Sequence, residues 1–234
     1  MSVFQNVPRY VKYLLVVMLA VPSAASAAHY ELLIQNRVEG GEAYGQPFSR
    51  PVAIVHGTEF NLFEPGGSSS LELELLAREG DPTLLLARAQ VDPFVRSVTV
   101  GDGPFFDEVS MSVEAEPGDY LTIVWMLGRT NDLFSAIRNV LLPDVPLEVS
   151  SETWDSGTEE NSGLAAHIPF YGYRNAGAGE DASIAIIPTF SVLDDPQYGR
   201  LDWVFPPTAN VVIYPVLGTP VEETSWGKVK TLFE

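Results

Sequence analysis

Short runs of β-branched and aromatic residues, cut apart by glycine- and proline-rich turns, leave this chain few folds to choose from. Residues 30–36, 52–55, 94–100, 109–115, 120–127, 184–190 and 211–216 all have strand character. Val109-Ser110-Met111-Ser112-Val113 alternates with period two, as a strand with one buried face must. Gly101-Asp102-Gly103-Pro104, Pro117-Gly118-Asp119 and Pro206-Pro207 supply the separating turns. No strand–helix–strand rhythm joins these runs. The pattern predicts an all-β chain, an antiparallel sandwich with one or two short helices in its connections.

Two helices are expected. Residues 68–78 open on a serine cluster able to cap, and Leu71, Leu75 and Leu76 fall on one face. Thr130-Asn131-Asp132 reads as a second N-cap, followed by Phe134, Ile137 and Leu141 at helical spacing over two or three turns. Residues 144–175 lack periodicity and read as a long irregular loop carrying Trp154 and several acidic residues. Loops of that length inside a domain are commonly functional.

The first 27 residues read as a secretory signal. Arg9 and Lys12 form a basic start, residues 13–21 an apolar stretch, and Ala25-Ser26-Ala27 a small-residue cleavage site. Nine apolar residues are too few for a bilayer, which needs roughly 20. Residues 28–217 then form one domain, secreted or periplasmic. A tail at 218–234 has Thr224-Ser225 placed to cap a short helix with Trp226, Val229 and Phe233 on one side.

Charge narrows the partners. The net charge is −18, and loss of Arg9 and Lys12 with the signal removes two more positive charges. Nucleic acid and anionic membrane surfaces both require clustered Lys and Arg, so they are disfavoured. A divalent cation is the partner such a chain welcomes. There are no cysteines, so no disulfide framework supports the fold.

Nucleophilic hydrolysis requires a serine or cysteine beside a base. The chain has no cysteine, no G-x-S-x-G elbow, and three histidines, His29, His56 and His167, at spacings that match no zinc motif. Carboxylate pairs suited to glycoside hydrolysis are available in any chain this acidic. For that chemistry Trp154, Tyr171 or Tyr173 would serve as sugar platforms. The chain therefore reads as a binding module in preference to an enzyme.

Two acidic motifs stand out. Thr130-Asn131-Asp132-Leu133-Phe134 follows the apolar run at 121–127, and Trp154-Asp155-Ser156-Gly157-Thr158-Glu159 lies 22 residues beyond Asp132. Calcium takes six to eight oxygen ligands, largely carboxylates and carbonyls. Asp155 and Glu159 can converge if Gly157 allows a tight turn, with Asp132 as a third carboxylate. A solvated acidic loop is the alternative.

In this order the motifs resemble the spondin N-terminal domain: Met126-Leu127 at a strand end, a T-N-D-x-F turn, then a W/Y-D-x-G-T-D/E loop. Gly45-Gln46-Pro47-Phe48-Ser49, His56, Leu62-Phe63 and Gly80-Asp81 extend the resemblance over residues 29–217. It implies a C2-like antiparallel β-sandwich with a calcium site at one end, built here from Asp132, Asp155 and Glu159. It also implies an adhesion or matrix role, with an extracellular protein or polysaccharide as partner. Glu159 stands where animal members carry aspartate, and their cysteines between the two motifs are missing. Arg138 lies close in sequence, and a cation beside the site opposes metal binding. A metal-independent structural surface protein and a carboxylate-based carbohydrate hydrolase are the alternatives.

Overall fold

The computed structural model describes residues 28–172, 179–205 and 207–216. The expected signal at 1–27 and the tail at 218–234 lie outside them. Within the described residues the chain is an antiparallel β-sandwich. β1 (Ala28–Asn36) leads through a one-turn helix α1 (Gly41–Tyr44) to β2 (Val52–His56). Two helices follow, α2 (Leu71–Glu79) and α3 (Thr83–Val91), then β3 (Val95–Val100), β4 (Glu108–Ala115), β5 (Tyr120–Met126) and β6 (Leu133–Leu141). The remaining strands are β7 (Leu147–Ser150), β8 (Glu152–Asp155), β9 (Ala185–Ile186), β10 (Thr189–Asp195), β11 (Gly199–Val204) and β12 (Ala209–Val216).

One sheet has the order β4-β1-β12-β7 and the other β3-β2-β5-β6-β8-β9, with β10 and β11 paired as a separate ribbon. Alternation along the strands builds the core between the sheets. Tyr30, Leu32 and Ile34 of β1, Met111 and Val113 of β4, and Val211 and Ile213 of β12 face Ala53, Val55, Leu121, Ile123 and Trp125. The opposite face of the six-stranded sheet is buried as well. Val52, Ile54, Val124, Phe134, Ala136 and Trp154 pack against Leu73, Leu76 and Ala77 of α2 and Leu85 and Ala89 of α3. That second layer explains why β5 reads Tyr-Leu-Thr-Ile-Val-Trp-Met without a polar face.

Several local expectations are corrected. Residues 133–141 form strand β6, not a helix. Leu133 to Ile137 are all buried, in a strand hydrogen-bonded to β5 on one side and β8 on the other, so their spacing of three and four reflects burial on both faces. Thr130 is not an N-cap but closes the β5–β6 turn. Its hydroxyl donates to the Leu127 carbonyl at 2.6 Å and accepts from the Leu133 amide at 3.3 Å. The stretch at 144–175 contains β7 and β8, and α3 forms over residues 83–91, whose Leu84-Leu85-Leu86-Ala87 run shows no apolar stripe. The expected strand at 184–190 is divided between β9 and β10.

Helix α2 forms where expected, but on a different stripe. Ser70 caps it by accepting from the Leu73 amide, and Gly80 closes it in a left-handed conformation (φ 65°). Leu73, Leu76 and Ala77 are the buried residues, while Leu71 in the first turn is 58% exposed. Leu76→Ala should therefore cost about 2–5 kcal/mol in urea unfolding. Leu71→Ala should stay within about 0.5 kcal/mol of the parent. Equal losses would mean that the helix does not cover the sheet in this register.

Candidate functional site

The antiparallel register between β6 and β8 sets Leu133 opposite Asp155, so Asp132 and the loop at 156–160 meet at the same end of the sheet. The loop then wraps one oxygen of Asp132. Oδ2 accepts from the Ser156 hydroxyl (2.9 Å), the Thr158 amide (2.8 Å) and hydroxyl (3.1 Å), and the Glu159 amide (2.9 Å). Asn131 ties the same turn to the loop by donating from Nδ2 to the carbonyls of Glu159 (3.2 Å) and Glu160 (3.0 Å). The wrap requires Gly157: its φ is 70°, and a Cβ there would lie 2.4 Å from the Ala182 carbonyl oxygen.

Asp132 is completely buried, yet its Oδ1 has no hydrogen-bond partner, and neither does Oδ1 of buried Asn131. An unpaired buried acceptor is expensive, and a charged one more so. Asp155 lies close enough to feel that charge. Its own Oδ1 accepts from the Gly157 amide at 2.7 Å, and Asn161 donates to its Oδ2. Burial, and then the Asp132 charge, raise its pKa to about 6.

Glu159 is placed differently. Its amide joins the Asp132 wrap, but its carboxylate turns to helix α2, where Nε of Arg78 lies 2.7 Å from Oε1. The contact is close enough for an ion pair but not aligned as a hydrogen bond. Arg78 also holds Glu74 at 2.6 Å. Burial raises the pKa of Glu159, and the Arg78 charge offsets part of that shift.

The three sequence-predicted carboxylates thus share one loop system, and the Asp132 charge is felt by both of the others, but only Glu159 also faces a guanidinium. Among the described residues, no three His, Asp or Glu side chains form a ready-made metal cluster. The expected neighbour Arg138 is instead committed elsewhere. It stacks over the rings of Phe63 and Trp154, 4.6 and 5.0 Å from their centroids, and donates to the Phe63 carbonyl. Sequence reasoning missed Arg78; its only signal was a basic residue in the last turn of the predicted helix.

The remaining candidates are structural. His56 is buried, with Nε2 at 2.9 Å from the Thr122 hydroxyl and Nδ1 at 2.8 Å from the Gly57 carbonyl; burial lowers its pKa. His29 lies between Glu31 and Glu114 across neighbouring strands, and their hydrogen bonds raise its pKa. His167 meets the Ser162 hydroxyl at 2.8 Å. Trp154 is buried edge-on against Phe63 and offers no open platform, and Tyr171 gives its hydroxyl to Asp195 at 2.6 Å. Tyr173 lies outside the described residues. No protein-family model matches the chain, and no curated protein is detectably similar to it.

The Asp155 shift has a definite sign. Because the folded protein holds this proton more tightly than an unfolded aspartate (pKa about 3.9), stability falls as pH rises from about 4 to 6. Asp155→Asn keeps an acceptor for the Gly157 amide and removes the repulsion. In metal-free buffer it should match the parent near pH 4 and be more stable at pH 7, as read by chemical denaturation. Parallel pH curves for the two proteins would show that neither burial nor Asp132 raises the proton affinity of Asp155.

Proposed function

We propose that this chain is an exported, non-catalytic binding module whose end loops are locked by a calcium ion held at Asp132 and Asp155. The observation that carries this reading is Oδ1 of Asp132, a fully buried carboxylate oxygen with no donor, beside a second carboxylate whose proton affinity is raised by burial and then by the first. Hard oxygen donors of this kind suit calcium. A divalent ion would satisfy the orphan oxygen and at the same time offset both the burial of the Asp155 carboxylate and its repulsion by Asp132. Glu159 would become a third ligand only by releasing Arg78.

The resemblance to spondin N-terminal domains agrees with this reading, as do the antiparallel sandwich, the signal-like N-terminus and the acidic balance. It would make the sandwich C2-like and give the module an adhesive or matrix role outside the cytoplasm, with an extracellular protein or polysaccharide as partner. One observation favours a second, metal-independent reading. Arg78 already supplies a cation on the Glu159 side of the loop, so the loop can be held by protein charge alone.

Thermal denaturation in EDTA and in calcium separates the two. Extracellular calcium modules bind at about 10⁻⁴–10⁻³ M. On that scale about 5 mM calcium should stabilise the parent by about 1–2 kcal/mol, a Tm rise of a few degrees. The rise should vanish in Asp155→Asn and fade as pH drops through 6, where the proton competes for Asp155. Glu159→Gln should leave it intact if Glu159 stays on Arg78, and reduce it if Glu159 ligates. An unchanged Tm at every calcium concentration supports the metal-independent reading.

A further inference from the structure

A cleft of about 380 Å³ opens beside the candidate cation site, where the β5–β6 turn, the end of α2 and the segment before β2 come together. Its walls are apolar: Pro47, Pro104, Phe106, Met126, Pro169 and Phe170. Glycines let backbone form the floor. A Cβ on Gly128 would lie 2.8 Å from Pro47, and one on Gly80 3.1 Å from Ser49 and 3.4 Å from the Met126 sulfur. This size and lining are those of a small-molecule site, in which a few polar groups set orientation.

Two charged side chains line the cleft, Arg50 and Glu79, and they are of opposite sign. Both are exposed, and among the described residues neither forms an ion pair, with each other or with anything else. Among the described arginines Arg37, also exposed, likewise forms no ion pair. Arg78, Arg88, Arg96 and Arg200 all hold carboxylates, and Arg129 and Arg138 are engaged by carbonyls and rings. Arg50 instead donates Nε to the Gly101 carbonyl at 3.1 Å, which fixes its stem. Glu79 is the last residue of α2, where the helix dipole adds to its preference for a positive group.

We propose that this cleft binds a small zwitterion with an apolar body, of the chemistry of an apolar dipeptide. Its carboxylate would meet Arg50, its ammonium Glu79, and its side chains the proline and aromatic walls. Nothing in this assignment requires the cation at Asp132 and Asp155, and the two can be tested apart.

The test is isothermal titration in EDTA with leucyl-phenylalanine and with its N-acetyl, C-amide and doubly capped forms. The free dipeptide should bind most tightly. Each single cap should weaken binding by about three- to fivefold, the scale of one partly exposed charge pair. In Glu79→Gln, an exposed helix-end change that leaves the core untouched, N-acetylation should no longer matter. Arg50→Gln should likewise remove the effect of the C-amide. Equal affinity of free and doubly capped forms, or no heat from any of them at 10-fold the protein concentration and upward into the millimolar range, would overturn the proposal. Calcium results do not bear on either outcome.

Discussion

The structure depends on the six-stranded sheet being covered on both faces. The inter-sheet core takes Leu121, Ile123 and Trp125 of β5, and the helices take Val124, with Phe134 and Ala136 of the adjoining β6. A strand pair buried from both sides cannot end in solvent without difficulty, since its turn carries polar backbone into a dry region. The Thr130-Asn131-Asp132 turn meets this with side chains. Thr130 closes the turn, Asn131 reaches two carbonyls of the neighbouring loop, and Asp132 accepts four hydrogen bonds on a single oxygen.

That solution has an electrostatic cost. Placing Asp132 at zero exposure satisfies the loop amides but leaves Oδ1 bare and charges the surroundings of Asp155. Burying a lone carboxylate costs several kcal/mol unless something compensates it. The four donors to Oδ2 compensate part. Arg78 acts at the next carboxylate along, not at this one. The arrangement is overcommitted in negative charge on the Asp132–Asp155 side and neutralised on the Glu159 side, and a bound cation would be felt on the first of these.

The strands were legible in the sequence wherever one face stayed polar or where turn residues bounded a short run. β4, with its strict alternation, is the clearest case, and β1, β2 and β5 follow it. Two-sided burial did not hide β2 or β5, whose β-branched runs are bounded by turn residues, but it did mislead where those bounds were missing. In β6, continuous burial imitates helical spacing, and in α3 the uninterrupted Leu-Leu-Leu run shows no stripe at all. The acidic motifs could be picked out because Gly157 and the short polar side chains around it allow only a tight turn. The pairing of Glu159 with Arg78 could not be, because it joins positions 81 residues apart through a helix–sheet packing that periodicity does not encode.

Helix α2 links the two candidate sites through consecutive side chains. Arg78 points to the carboxylate loop and Glu79 lines the apolar cleft, while Met126 and Gly128 of the cleft lie just ahead of the Thr130–Asp132 turn. The helix is anchored by Leu73, Leu76 and Ala77, so its end cannot shift without disturbing the second core. Rigid anchoring favours a preformed cleft over one assembled by its ligand, since ordering costs fall when the walls are already in place. It also means that Arg78 must rotate as a side chain, not move with its helix, if Glu159 is ever to leave it. The zwitterion would then meet this fixed end of the helix directly through Glu79, whereas a cation at Asp132 and Asp155 would reach it only through Glu159 and Arg78.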